Sequence, residues 1–193
     1  MAKLTIRDLY TLEAYSKLRP QFRAQVLEHK RHRKLELGAH VTLLFEDRLT
    51  MHYQIQEMLR VEKIFEEPAI IEELDAYNPL IPDGQNWKST MLIEYPDENE
   101  RHAALRRLIN IERGVWVQCA NTEPVFGIAD EDLERSTGDK TSSVHFLRFE
   151  LRADMIGDLK NGAALRVGVS HPQYTAEVVA PDGLRESLIA DLD

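Results

Sequence analysis

Residues 144–151 read Val-His-Phe-Leu-Arg-Phe-Glu-Leu, and their alternation decides the class of fold. In an extended chain His145, Leu147, Phe149 and Leu151 share one face, while Val144, Phe146, Arg148 and Glu150 share the other. A face carrying three large apolar side chains needs a core to cover it, so the segment predicts a half-buried strand. Outward from it, residues 90–95, 115–119 and 164–169 predict further strands. Residues 124–128 predict one more, paired with 115–119 as a hairpin, and 175–179 an edge strand. Between them lie helical patterns at 97–110, 155–160 and 182–192, with an acidic helical turn at 130–134. This half of the chain reads as a mixed or mostly antiparallel sheet with flanking helices.

The first half has a different period. Residues 1–38 read as helical: Thr5-x-x-Asp8 has capping-box spacing, and Pro20 suits the first turn of a helix running to Leu37 and stopping at Gly38. From Asp47 to Phe65, Met51, Ile55, Met58, Leu59 and Phe65 fall on one broad helical face. Residues 41–46 fit either the start of that helix or a short strand. A short helix is expected at 67–77. Residues 78–88 (Asn-Pro-Leu-Ile-Pro-Asp-Gly-Gln-Asn-Trp-Lys) predict a stiff, ordered connecting loop, since two prolines fix φ and Asp83-Gly84 signals a turn. The expectation is an α+β fold in a single domain, 1–193. Its mainly helical part is 1–77, its connecting loop 78–88, and its sheet-and-helix part 89–193, with strand order left open.

Composition narrows the function classes. The chain of 193 residues is 43% hydrophobic and 30% charged with net charge −9, which is ordinary for a globular protein. Its one cysteine, Cys119, cannot form an internal disulfide or a multi-cysteine metal centre. Together with an N-terminus lacking the apolar stretch of a signal peptide, this points to the cytoplasm. No apolar run approaches a membrane span. The charge is uneven. Residues 1–34 hold nine Lys/Arg against three acids, a net of +6, and the remaining 159 residues hold 15 against 30, a net of −15. Such an acidic body disfavours nucleic acid, so the basic segment is expected to dock on acidic surface of its own chain or of a sister subunit in a homo-oligomer.

No Gly-x-Gly-x-x-Gly, Walker loop, Gly-x-Ser-x-Gly or His-Glu-x-x-His occurs. Nor does Glu-x-x-His, which a ferritin-like diiron site repeats on separate helices. The candidates are therefore single residues. His145, on the apolar face of its strand, is a buried hydrogen-bonded residue or a general base, with Glu57 and Glu46 as its candidate acidic partners in catalysis. Glu46, Tyr53, Glu57 and Arg60 fall on one helical stripe, an ion-pair network or a ligand surface. Trp87 and Lys88, on the rim of the 78–88 loop, offer an aromatic platform and a cation for an anionic ligand. No metal or cofactor is expected; His40 and His145 are the candidate ligands should a metal bind. His29 and His32 sit at i, i+3 but among four cations, which disfavour a metal there. The acids at 130–134 lack the spacing and glycine of a calcium loop.

Five blocks carry a resemblance over nearly the whole chain: Leu43-Leu-Phe-Glu-Asp-Arg-Leu-Thr, Tyr53-Gln-Ile-Gln-Glu-Met-Leu-Arg, Glu73-Leu-Asp-Ala-Tyr-Asn-Pro-Leu-Ile-Pro-Asp-Gly, Thr90-Met-Leu-Ile-Glu-Tyr-Pro-Asp and Val144-His-Phe-Leu-Arg-Phe-Glu-Leu. In these the chain resembles a bacterial family of unknown function, domain-of-unknown-function family 3501. The resemblance implies no catalytic residue. Through the family's association with rubrerythrin-like and iron–sulfur oxidoreductase genes, it implies an accessory protein, binding a protein partner or small ligand in redox or peroxide defence. An enzyme using His145 with Glu46 or Glu57 is the alternative.

Overall fold

Burial alternates along residues 34–37, 87–93 and 144–150, and it shows which face of those segments meets the core. The computed structural model describes residues 2–132 and 134–193. Among these residues nine strands form two antiparallel sheets. In chain order they are β1 (Lys34–Leu37), β2 (Val41–Glu46), β3 (Asn86–Ile93), β4 (Val115–Cys119), β5 (Val125–Phe126), β6 (Ile128–Ala129), β7 (Val144–Glu150), β8 (Leu165–His171) and β9 (Tyr174–Val179). The five-stranded sheet has order β1-β2-β3-β7-β6 and the four-stranded sheet β5-β4-β8-β9. Leu43, Phe45, Trp87, Met91, Leu147 and Phe149 of the first face Val115, Val117, Val167 and Val169 of the second in one buried cluster. Helices α4 (Glu98–Arg107), α5 (Ala153–Lys160) and α6 (Asp182–Ile189) contribute Ala104, Leu105, Met155, Leu159, Leu184 and Leu188 to it. Each buried Val, Leu, Met or Phe side chain among them contributes roughly 1.5–3 kcal/mol.

The expected hairpin at 124–128 is only half of what forms. Val125 and Phe126 pair with β4, but Ile128 and Ala129 pair with β7. The chain crosses between sheets at Gly127, whose amide bonds the Val115 carbonyl at 2.8 Å. A Cβ there would stand 3.1 Å from the Phe149 ring, so glycine lets the strand pass close over the core.

The N-terminal reading needs correction. Helix α1 spans Leu12–Arg31 with Pro20 inside it, and Thr5/Asp8 cap a 3-10 turn instead. Tyr15, Phe22 and Val26 pack on Leu49 and Tyr53 of helix α2 (Arg48–Val61), and this tertiary contact holds the helix through its missing N–H. Residues 34–37 are strand, not helix: Leu35 and Leu37 alternate inward and pair with Leu43 and Val41. Gly38 turns this hairpin at φ +72°, where a Cβ would come 2.6 Å from the Tyr174 hydroxyl. Residues 41–46 are strand, so Glu46 does not lie on the α2 stripe. Helix α3 (Glu67–Tyr77) forms as expected and packs Leu74 with Leu4, Met51, Ile55, Leu59 and Ile81 in a second cluster. Residues 78–88 are not all loop, since Asn78–Leu80 is a 3-10 turn and β3 starts at Asn86. The acidic segment is no helix among its described residues; Leu133, within it, lies outside them. No helix among the described residues is long and apolar enough to cross a membrane.

Arg33 joins the helical and sheet parts. It is 2% exposed and donates to the Phe45 carbonyl at 2.9 Å, the Glu46 carbonyl at 3.0 Å and Asp191 at 2.5 Å. Its Nε lies 3.4 Å from Asp47 Oδ2, which His29 Nε2 also approaches at 2.5 Å. Asp47 in turn caps α2, accepting from the Thr50 amide at 2.8 Å. Burial opposes the Asp47 charge, but Arg33, the Thr50 amide and His29 together hold its carboxyl below the usual range. At Asp191 burial outweighs Arg33 and pushes the carboxyl up. Removing the cation leaves two buried carboxylates without it. Arg33→Met is expected to lose about 3–5 kcal/mol in urea denaturation. Part should return in the double variant Arg33→Met/Asp191→Leu.

Candidate functional site

The register of β2, β3, β7 and β6 sets four residues in one row on the outer face of the five-stranded sheet: Glu46, Lys88, Arg148 and Ile128. Because strand residues alternate, Trp87 points inward where Lys88 points outward. Trp87 is fully buried and its indole N–H donates to the Leu188 carbonyl at 2.9 Å. It anchors the sheet to α6 and is not a surface platform. Lys88 lines a cleft of about 430 Å3 between this sheet face and the end of α3, walled by Tyr77, Pro79, Leu80, Ile128 and Phe146.

The charges of the row are unequally matched. Glu46 is 6% exposed and accepts from the Thr90 hydroxyl at 2.7 Å. Arg148 donates to Glu131 at 2.7 and 2.8 Å and also to Glu150. That pairing raises Arg148 and holds Glu131 below the usual carboxylate range. The Lys88 ammonium has no hydrogen bond or ion pair among the described residues. Burial, then the neighbouring Arg148, push its ammonium below the usual lysine range.

On the inner side of β7, His145 is fully buried and points with Leu147 and Phe149 toward the core. Its Nδ1 lies 2.6 Å from Asp130 Oδ2 and its Nε2 lies 2.8 Å from Thr141 Oγ1. Ser136 Oγ is 2.9 Å from Thr141 Oγ1 and donates to Glu112 at 3.1 Å. Asp130 adopts φ +51°, a left-handed conformation that asparagine and aspartate tolerate best. It is held there by pairing with both backbone groups of Phe146. An Asp–His–hydroxyl array has the connectivity of a general-base relay. Here the ring and the Thr141 hydroxyl are sealed, at 0% and 1% exposure, so the array fastens segment 130–141 to β7. His145→Ala is therefore expected to make trypsin cut much faster after Arg135 and Lys140, with wild type resistant under the same conditions.

The other candidates lie elsewhere. Glu57 accepts from the Tyr15 hydroxyl at 2.7 Å, from Arg19 at 2.7 and 2.9 Å, and from Arg60 at 3.4 Å. Arg19 above all pulls its carboxyl down to about 2. Tyr53 packs on Phe22, ring centroids 6.0 Å apart. These residues clamp α1 to α2, and neither Glu57 nor Glu46 is a hydrogen-bond partner of His145. His40 stacks on Tyr95 at 3.8 Å and its Nδ1 meets the Glu94 carbonyl at 3.0 Å, so His40 and His145 have separate surroundings. The basic segment docks on its own chain through Arg19, His29 and Arg33. Sequence reasoning missed Asp130, Thr141 and Glu112 as the partners of His145. The available signal was the buried imidazole itself, which required polar neighbours, and the acidic run nearby. Because the folded pKa of Glu57 is depressed, its clamp contributes fully above about pH 4.5 and is lost as pH falls towards about 2. The melting-temperature gap between wild type and Glu57→Gln should be widest at neutral pH and close over that range.

Together these features define an α+β protein of two antiparallel sheets with a ligand-sized cleft on one outer face. The chain belongs to the family described as "Protein of unknown function (DUF3501)", whose model matches residues 3–192. It is similar to a novel protein of unknown function from Burkholderia pseudomallei, known from a crystal structure. The two are 51% identical over the full length of both chains, with a TM-score of 0.95. No curated protein matches the chain.

Proposed function

We propose that the protein binds a small molecule in the Lys88 cleft, with an apolar body and one anionic or hydrogen-bond-accepting head group. The observation that carries this is Lys88: an amine without a hydrogen-bond or ion-pair partner among the described residues, lining a mostly apolar cavity of ligand size. An unpaired, partly buried ammonium is costly in the free protein, and an accepting head group offsets that cost. The apolar body then covers Leu80, Ile128 and Phe146. Such a binder fits the accessory role in redox or peroxide defence that the family resemblance implies, and Arg60 and Tyr53 play no part in it.

Acid–base catalysis is the second reading, favoured by the Asp130–His145–Thr141 array. It would give Asp130 and Glu112 the roles first considered for Glu46 and Glu57. The sealed hydroxyl places it behind binding.

The test uses the fluorescent probe 8-anilinonaphthalene-1-sulfonate, which joins an apolar body to an anion. The folded protein should bind it saturably, and Lys88→Met should weaken binding about tenfold, or about 1.4 kcal/mol. Near-ultraviolet circular dichroism checks that the variant keeps its packing. Equal binding by a folded Lys88→Met protein would sink the reading.

A further inference from the structure

We propose that Lys88 forms an imine with the carbonyl group of an apolar aldehyde or ketone held in the cleft. This rests on the binding reading above and specifies its head group as a carbonyl.

Three features of the site select this amine. Most acids around it are engaged: Glu46 accepts from Thr90, Glu131 and Glu150 pair with Arg148, Asp132 with Arg135, and Asp83 accepts from the Gln85 amide, while Asp75 lines the cleft from α3. Lys17 and Lys34, by contrast, are ion-paired with Glu13 and Glu36. Second, Arg148 stands directly opposite Lys88 on the adjacent strand, and a fixed cation beside an amine favours its neutral, nucleophilic form. The charged and titratable groups around Lys88 are Glu46 on β2, Asp83 before β3, Arg148 and Glu150 on β7, Glu131 and Asp132 beyond β6, and Asp75 and Tyr77 on α3. The net influence of burial and these neighbours lowers the ammonium. Third, Leu80, Ile128 and Phe146 offer an apolar surface to the chain of a carbonyl compound, and that chain, once seated, would keep water from the imine and slow its hydrolysis.

The step balances without an added oxidant or reductant. The ammonium gives one proton to solvent, and the free amine attacks the carbonyl carbon. A carbon–nitrogen bond forms as the carbonyl π bond opens, and the oxygen takes up a proton while the nitrogen gives one up, leaving a neutral carbinolamine. That hydroxyl leaves as water with a second proton while nitrogen loses its hydrogen, giving the imine. Water reverses the sequence. Ketones and aldehydes with apolar chains fit; a bulky polar carbonyl compound does not match the walls.

The experiment treats the full chain with pentanal and sodium cyanoborohydride near neutral pH, then maps alkylated lysines by mass spectrometry over time. Lys88 should be alkylated several-fold faster than the exposed Lys63 and Lys140, and prior saturation with 8-anilinonaphthalene-1-sulfonate should slow Lys88 alone. Lys88→Arg should remove the fast phase from the intact-protein time course. Labelling of Lys88 no faster than Lys63 and Lys140 overturns the imine, as does a fast phase persisting in Lys88→Arg. If the naphthalene probe binds wild type normally in that case, only the imine falls. If it does not bind, the binding reading falls with it.

Discussion

A single buried guanidinium, that of Arg33, ties together segments distant in sequence. It sits at the joint between α1 and β1, and its donors reach the last carbonyls of β2, the cap of α2 and the carboxylate of Asp191 beyond α6. A planar cation with five fixed donors suits this joint, because each direction meets an oxygen in a place water does not reach. Lysine has the charge but not the fork. Desolvating the cation and two carboxylates is unfavourable by itself. Its effect is geometric: the direction in which β2 hands over to α2 is set, and with it the position of α3 above the outer sheet face.

That position makes the cleft. The end of α3 and the turn after it stand over Lys88 and Phe146, so a sheet face otherwise open to solvent acquires a wall. The opposite face of the same strands carries Trp87, Leu147 and Phe149 into the core. One strand pair thus anchors the molecule on one side and presents an amine on the other. The alternation that buries the indole is what exposes Lys88. Phe146 belongs to both neighbourhoods: its ring lines the cleft, Arg135 stacks over it at 4.5 Å, and its backbone holds Asp130. The His145 network therefore braces one wall of the cleft.

The fold class, most strands of the second half and the inward face of His145 were legible because period-2 alternation reports burial directly. So were α2 and α3, where apolar residues recur at helical spacing. The first 38 residues misled for an identifiable reason. Lys34-Leu-Glu-Leu is compatible with either period over so short a span, and pairing with β2, remote from local propensity, decided it. Pro20 likewise reads as a helix start until packing against α2 carries α1 through it. The 78–88 composition puts Trp87 and Lys88 together on a loop rim; strand β3 divides them between core and cleft.

By itself, then, the sequence determined an α+β chain with one cysteine, a basic leading segment facing an acidic remainder, a histidine on a core face and membership of its family. Those properties are local or additive: composition, charge and hydrophobic period can be read in windows of a few residues. Only the tertiary structure decided that the basic segment closes on Asp47, Glu57 and Asp191, that Asp130 and Thr141 hold His145, and that Lys88 stands unpaired over an apolar cleft. Each depends on residues separated by many positions in sequence. Which acid a cation meets, and which cation is left without one, is fixed by strand register and helix docking rather than by spacing along the chain.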